Sequence, residues 1–143
     1  MIRVRASARS HYDNAGGEGP IAAVIASLYD QLFEDPIVGF LFAGKDKKHI
    51  VEEQVLLTCS FLGGPQRYRG KPLPEAHAKL PLLPGHFDRR HRLLEQTLRA
   101  HSIPESVREA WLAIDEGLRT SVLAAGESAR ELTRDPESPS RGH

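Results

Sequence analysis

Three polar residues that stand among apolar neighbours are the candidates for chemistry in this chain: His77, Tyr29 and Gln54. His77 lies in a proline-rich stretch, residues 68–87, with leucines on both sides. A neutral imidazole on a short, stiff, apolar segment can serve as an axial ligand to a metal or a haem iron. Most single histidines in such loops are solvated surface residues instead. The residues by themselves leave both interpretations open.

Tyr29 and Gln54 fall on the apolar faces of two predicted helices. Tyr29 lies one helical turn beyond Ile25. Gln54 interrupts an apolar stripe that runs from Ile50 through Leu57 to Phe61 and is predicted to be buried, so its amide must find hydrogen-bond partners. A phenolic O–H and an amide N–H can both donate a hydrogen bond to a partly negative oxygen. Tyr29 also fits a core tyrosine whose hydroxyl reaches the surface, and Gln54 fits a residue at the edge of its stripe. The pattern alone does not separate these alternatives.

The composition excludes several classes of protein. The 143 residues suffice for one domain with one core. Lys+Arg and Asp+Glu both number 19, so the net charge is zero and no basic field exists to hold nucleic acid or an anionic membrane. The apolar runs are too short to cross a bilayer, and the N-terminus does not resemble a secretory signal. A single cysteine, Cys59, indicates a reducing compartment. We therefore predict a cytoplasmic protein.

Proline and glycine divide the chain into helices, and no alternating strand pattern occurs. Helices are expected to start near Pro20, Asp46, Pro84 and Pro104. A turn, or the end of a very short helix, is expected at residues 13–17. Residues 1–11 are predicted to form a loose arm, residues 12–125 an all-α domain, and residues 126–143 a disordered tail.

From Tyr12 to about Val122, the chain resembles a truncated haemoglobin, most like group I. The matching motifs occur in order and without gaps. SLYDQLFEDP resembles helix B with its distal tyrosine, and GFLF ends in the phenylalanine that packs on the haem. EEQVLLTCSFLGGPQRYRGKPLPEAHAKL resembles helix E, its Gly-Gly-Pro stop and the segment of the proximal histidine. Phe87 follows His77 by ten residues, as it does in the family.

The resemblance implies a two-over-two helical sandwich, in which helices B and E pack on helices G and H, with a short proximal helix F. It implies haem b as cofactor and His77 as the proximal ligand of the haem iron. Tyr29 and Gln54 become the distal residues that stabilise the ligand. The other residues expected at the haem are Phe42, Ile50, Leu57, Tyr68, Leu73, Phe87, Lys48 and Arg90.

A protein of this kind would bind oxygen reversibly at ferrous iron, with nitric oxide and carbon monoxide as further ligands. The family's chemistry suggests nitric oxide dioxygenation, in which an unidentified reductase restores the ferrous iron. Two alternatives are a haem-based gas sensor or an interaction domain without reversible oxygen chemistry. Peroxidase-like activity on the same haem is a third possibility that the sequence does not rank.

The chain departs from the family pattern at charged positions. Glu53 stands beside the distal glutamine, where the family often has lysine or histidine. Arg90 falls at a position that faces the distal pocket and is usually apolar or tryptophan, and Asp115 interrupts the apolar face of the last helix. Because an unpaired buried charge is costly, we predict that Arg90 and Asp115 form a partly buried ion pair. The alternative is that Arg90 extends to solvent or to a haem propionate.

Two further candidates have simple explanations. His49 and Glu53 are one helical turn apart, a spacing that suits a divalent metal, but two ligands do not make a site and solvation is expected. Cys59 has small or apolar neighbours, which predicts a packed thiol rather than a reactive one.

Overall fold

The computed structural model describes residues 9–68 and 82–124, and the described part is helical throughout. His77 and Leu73, the predicted tail and most of the predicted arm lie outside the described residues. The helices are α1 (His11–Ala15), α2 (Glu18–Glu34), α3 (Lys47–Phe61), α4 (Pro84–Ala100) and α5 (Glu105–Gly117), with a 3-10 turn at Gly39–Phe42 between α2 and α3. Beyond Leu118, residues 119–124 form one more helical stretch.

The short helix α1 confirms the helical alternative at residues 13–17 and also takes in His11, the last residue of the predicted arm. The Ser10 hydroxyl accepts from the Asp13 N–H at 3.0 Å, which caps the first turn. Gly16 ends the helix in the left-handed conformation, with φ +98°. The Tyr12 N–H donates to the Leu62 carbonyl at 2.8 Å, so α1 is tied to the end of α3.

Helix α2 is the centre of the core, and its predicted face is confirmed. One side of this helix is almost completely buried, through Ile21, Val24, Ile25, Leu28, Tyr29 and Leu32. It packs against both α3 and α4. Contact with two helices along one side explains why the apolar residues of α2 recur so regularly.

Asp35 ends α2 and links it to α4. Its carboxylate accepts from the N–H groups of Ile37 and Val38 at 2.9 and 3.0 Å. The Arg89 side chain donates to the same carboxylate at 2.6 and 3.0 Å. The hydrogen bonds from Arg89 lower the pKa of Asp35 against the opposing effect of its burial, and the two backbone N–H groups lower it further.

Helix α3 begins and ends where the sequence predicts. The Asp46 carboxylate caps its first turn by accepting from the His49 N–H at 3.2 Å. At the other end Gly63 adopts φ +96°, and a Cβ there would lie 2.9 Å from the Ser10 Cβ. Only glycine fits this turn without strain, and the turn lets the chain leave α3 beneath α1.

The second pair of helices follows the prediction as well. Pro84 stands in the first turn of α4, where its missing N–H costs nothing. Helix α4 packs on α2 and on α5, so α2 and α3 form one layer and α4 and α5 the other, in a two-over-two arrangement. None of the helices in the described ranges has the length and hydrophobicity that a bilayer-spanning segment requires.

Candidate functional site

A cavity opens between α2, α3, α4 and α5. The empty space within it, which includes open solvent, is about 780 Å³. Its apolar wall consists of Leu57, Phe61, Leu62, Leu82, Phe87, Ile114, Leu118 and Val122. Its polar lining consists of Tyr29, Gln54, Thr58, Arg90, Trp111 and Asp115. The cavity thus combines an apolar wall with a few convergent polar groups.

Helix α3 has one apolar face towards the core and another towards the cavity. The apolar spacing in the sequence does not distinguish the two. Val55, Cys59 and Leu62 pack into the core. Leu57 and Phe61 line the cavity, and the Phe61 side chain is 42% exposed. The prediction that Phe61 lies in the buried stripe is therefore wrong. Its spacing places it on the cavity face, where the protein supplies nothing to cover it within the described residues.

Tyr29 projects from α2 into the cavity and is only 5% exposed. Its ring meets the Phe42 ring edge-on, with 5.9 Å between centroids, and this contact holds the phenol in position. The Arg90 Nη2 lies 3.5 Å from the phenol oxygen. No residue in the described ranges accepts a hydrogen bond from the Tyr29 O–H, which is left to donate into the cavity.

Gln54 lines the same cavity from α3 and is half-buried. Its amide makes no hydrogen bond to any residue that the structure describes. The sequence predicts that a buried amide here must find partners, and the structure instead leaves the amide facing the cavity. Tyr29 and Gln54 therefore bring two side-chain donors to one space from two different helices.

Arg90 and Asp115 form the predicted ion pair, with 2.7 Å between Nη1 and Oδ1. The side chains are 25% and 9% exposed, so the pair is largely buried in the cavity wall. A third residue, His91, was not predicted to take part. Its Nδ1 lies 2.8 Å from the other carboxylate oxygen of Asp115. The one signal in the sequence was that His91 adjoins Arg90 and that a carboxylate has two oxygens to satisfy.

The charges of this cluster shift the pKa values of its members. Burial alone would raise the pKa of Asp115, but the positive charge of Arg90 and the hydrogen bond with His91 outweigh it, and the pKa lies below its ordinary value. The hydrogen bond with Asp115 raises the pKa of His91, against the opposing effects of burial and of the Arg90 charge. Asp115 is therefore ionised and shared between two neighbours.

The remaining predicted haem contacts occupy different places. Leu57 and Phe87 are buried and line the cavity. Phe42 and Ile50 are half-buried and pack against the core, Phe42 stacking on Phe33 with 4.9 Å between ring centroids. Lys48 is exposed. The structure thus brings Tyr29, Gln54, Leu57, Phe87 and Arg90 together around the cavity. It places Phe42, Ile50 and Lys48 beside or outside it.

Glu53 and Tyr68 lie near each other at the edge of the described residues. Burial raises the pKa of Tyr68, and the Glu53 carboxylate raises it further. The Glu53 Oε1 is buried and has no hydrogen-bond partner within residues 9–68 and 82–124. In those ranges no group of three or more His, Cys, Asp or Glu side chains could hold a metal ion. His49 is exposed, in line with the expected solvation.

Comparisons with known proteins agree with this architecture. Residues 10–123 match the sequence model of the family described as bacterial-like globin. A group 1 truncated hemoglobin from Tetrahymena pyriformis is 30% identical over 112 residues, which cover 78% of this chain and 93% of that protein. The crystal structure of a truncated hemoglobin from the same organism, in its Fe(III) form, superposes with a TM-score of 0.75 at 28% identity, covering 80% of this chain and 97% of that one. The 2/2 hemoglobin from Synechococcus sp. PCC 7002 shares the fold, with a TM-score of 0.76 at 23% identity, covering 81% of this chain and 99% of that one.

Proposed function

This chain belongs to the bacterial-like globin family and is a truncated haemoglobin, and from that premise we propose that it binds haem b in its cavity and binds oxygen reversibly there. Family membership implies a haem and a small gaseous ligand. The finer statements, that the haem is of the b type and that oxygen is the ligand, are our proposal.

The apolar face of α3 is the observation that carries this proposal. Leu57 and Phe61 recur at helical spacing, yet they face the cavity instead of the core. Phe61 is 42% exposed on this face, and leaving apolar surface uncovered forfeits hydrophobic stabilisation of about 25 cal/mol per Å². A flat apolar macrocycle between α3 and α4 would cover the stripe and also contact Phe87. The residues present therefore fit a haem.

The polar lining fits a small ligand on the same side of the cavity. Haem, when bound, supplies a ferrous iron at which a diatomic gas can bind. Tyr29 would donate its O–H, and Gln54 its amide N–H, to the more negative atom of that gas. The edge contact between Tyr29 and Phe42 fixes the direction of the phenol, so the donor needs little reorganisation.

The proximal side of the haem is proposed from the family resemblance. His77 and Leu73 lie outside the described residues, and His77 is proposed as the iron ligand because it follows the Gly-Gly-Pro stop and precedes Phe87 at the family's spacing. Lys48, exposed at the start of α3, is proposed as a partner for a haem propionate. Ile50, Phe42 and Tyr68 would contact the edge of the macrocycle.

We propose nitric oxide dioxygenation as the reaction. One oxygen molecule and one nitric oxide would combine to nitrate with one electron supplied by the ferrous haem, and a reductase would have to return that electron in each cycle. Carbon monoxide would compete with oxygen for the same site. The free, buried thiol of Cys59 fits a reducing compartment, and we place the reaction in the cytoplasm.

The alternative of a gas sensor or interaction domain without oxygen chemistry loses part of its motivation. Its basis in the sequence is three charged residues that could disturb an apolar pocket: Glu53, Arg90 and Asp115. Arg90 and Asp115 neutralise each other at 2.7 Å, so two of these charges are compensated inside the cavity wall. No described feature favours the alternative in its place.

The test of oxygen binding is the Tyr29→Phe variant, which removes the donor and keeps the ring contact with Phe42. Reduced wild-type protein with haem should show a Soret band that shifts on addition of oxygen. The oxygen dissociation rate, measured by stopped-flow displacement with carbon monoxide, should rise by about tenfold or more in the variant, because a hydrogen bond to a partly charged acceptor contributes about 1.5–3 kcal/mol.

Tyr12→Phe is the matched control, since Tyr12 does not line the cavity. Its hydroxyl accepts a hydrogen bond of 3.0 Å from the Gln66 amide. Its oxygen dissociation rate should equal that of the wild type. An unchanged rate in Tyr29→Phe would refute Tyr29 as the oxygen donor, and absence of the Soret band from the wild type would refute haem binding.

A further inference from the structure

The charged cluster in the cavity wall has no role in the function proposed above. We propose that Arg90 selectively strengthens the binding of small monovalent anions in this cavity when the haem is ferric, and leaves the binding of carbon monoxide to the ferrous form unchanged. The inference rests on the proposed haem binding, because the anion would occupy the ligand side of the cofactor.

The position of Arg90 is fixed by contacts on two sides. Asp115 holds the guanidinium from α5 at 2.7 Å, and Tyr29 lies on the other side at 3.5 Å. The guanidinium carbon also stands 5.9 Å from the centroid of the Tyr29 ring. The cation is thereby placed beside the phenol that the proposed ligand would contact, and it is held there by another helix.

Arg90 retains hydrogen-bonding capacity in this arrangement. A guanidinium carries five N–H donors. One donates to Asp115 and another approaches the Tyr29 oxygen, while the others have no acceptor among the described residues. The side chain is 25% exposed and lines the cavity, so these donors can reach a bound anion.

The counter-ion of Arg90 is shared. Asp115 gives one oxygen to Arg90 and the other to His91 at 2.8 Å. Both carboxylate oxygens are therefore engaged within the cluster, and Asp115 balances most of the Arg90 charge. What Arg90 still offers to an anion in the cavity is its remaining N–H donors, which Asp115 leaves unoccupied.

The rest of the polar lining also favours an anion. Besides Arg90, the cavity lining includes Tyr29, Gln54 and Trp111, and the polar groups of these side chains donate to no residue that the structure describes. An acceptor-only guest such as fluoride, azide or nitrite satisfies several such donors at once. A neutral gas such as carbon monoxide accepts only weakly and gains little from them.

The experiment is a fluoride titration of the ferric holoprotein at one neutral pH, followed by absorption spectroscopy. In Arg90→Met the dissociation constant of fluoride should rise by about tenfold, because a charge-assisted hydrogen bond is lost. In Asp115→Asn, which keeps the shape of the side chain and removes its charge, the constant should fall several-fold. These opposite signs distinguish an effect of charge from a loss of packing.

Arg92→Met is the control for net charge, since Arg92 lies on the same helix, is exposed and does not line the cavity. Its fluoride affinity should match the wild type, and the carbon monoxide affinity of all four ferrous proteins should be the same. Equal fluoride affinity in Arg90→Met and wild type, or weakening in Asp115→Asn, would overturn the inference. A wild-type protein without a Soret band would overturn the proposed function and this inference with it.

Discussion

The buried ion pair gives the sharpest prediction on stability. Asp115→Ala removes hydrogen bonds of 2.7 Å to Arg90 and 2.8 Å to His91, and it strands the Arg90 charge in the wall of the cavity. Breaking a fully buried pair costs about 3–5 kcal/mol, and an effective dielectric constant near 20 gives a similar gross attraction for charges at about 4 Å. Because Arg90 is 25% exposed, water recovers part of that loss. We expect the free energy of unfolding to fall by about 2–4 kcal/mol.

The double variant Arg90→Met/Asp115→Leu isolates the interaction. Apolar residues of similar volume commonly replace a buried ion pair at little cost, so this variant should lie within about 1 kcal/mol of the wild type. The single variants Arg90→Met and Asp115→Leu form a double-mutant cycle with this variant, and the double variant should lose far less stability than the two single variants together. Stability is measured by urea unfolding, followed by circular dichroism at a fixed, saturating haem concentration, since bound ligand raises apparent stability.

Glu116→Ala supplies the matched control. Glu116 is the next acid on α5 and pairs with Arg119 on the exposed side of the helix. Surface pairs contribute little, so this variant should change stability far less than Asp115→Ala. The reasoning fails if Asp115→Ala is as stable as the wild type, or if the double variant is no more stable than Asp115→Ala.

Two other predictions follow from pKa shifts. The pKa of His91 is raised in the folded protein by its hydrogen bond to Asp115, so its contribution to stability is fully present below the unfolded pKa of about 6.5 and is lost as the pH rises through the higher folded value. Urea midpoints of wild type and His91→Gln should therefore converge as the pH rises through the folded pKa of His91, and a constant difference across the pH range would contradict this. Burial, with a smaller effect of Glu18, raises the pKa of Cys59 to about 11, so a thiol-reactive dye should label it only after unfolding in urea. Labelling of the native protein at the unfolded rate would show that the thiol is accessible.

The main helices could be predicted because their signals are local. Asp46 caps α3 and Pro84 starts α4 where the sequence places them. The apolar face of α2 was predicted correctly because its aliphatic residues all pack on protein, and only Tyr29 also reaches the cavity. Periodicity indicates which side of a helix avoids water, and for the aliphatic residues of α2 the neighbours on that side are other protein side chains.

The same signal failed on α3 because two apolar faces share one helix. Val55, Cys59 and Leu62 meet the core, while Leu57 and Phe61 meet the cavity. A stripe that faces a cofactor cavity has the same hydrophobic spacing as a stripe that faces protein. Only the three-dimensional position of α3, between the core and the cavity, distinguishes its two apolar faces.

The ion pair could be predicted because buried charges must be compensated, and Arg90 and Asp115 were the unmatched charges on facing stripes. The part played by His91 could not be predicted from the same rule. A histidine carries no obligatory charge, so nothing in the sequence required it to be paired. Its role depends on the direction of the second oxygen of Asp115, which is a matter of side-chain geometry.

The stability and anion predictions together separate two explanations of the cluster. If Arg90 and Asp115 served stability alone, Met and Leu could replace them at little cost, since burying ions requires desolvation that apolar residues avoid. What Met and Leu cannot supply is a cation beside the Tyr29 phenol. The double variant should therefore stay close to the wild type in unfolding free energy and bind fluoride more weakly than the wild type, but less weakly than Arg90→Met, which retains the Asp115 charge. Retained stability with retained fluoride affinity would mean that the charges act on neither property.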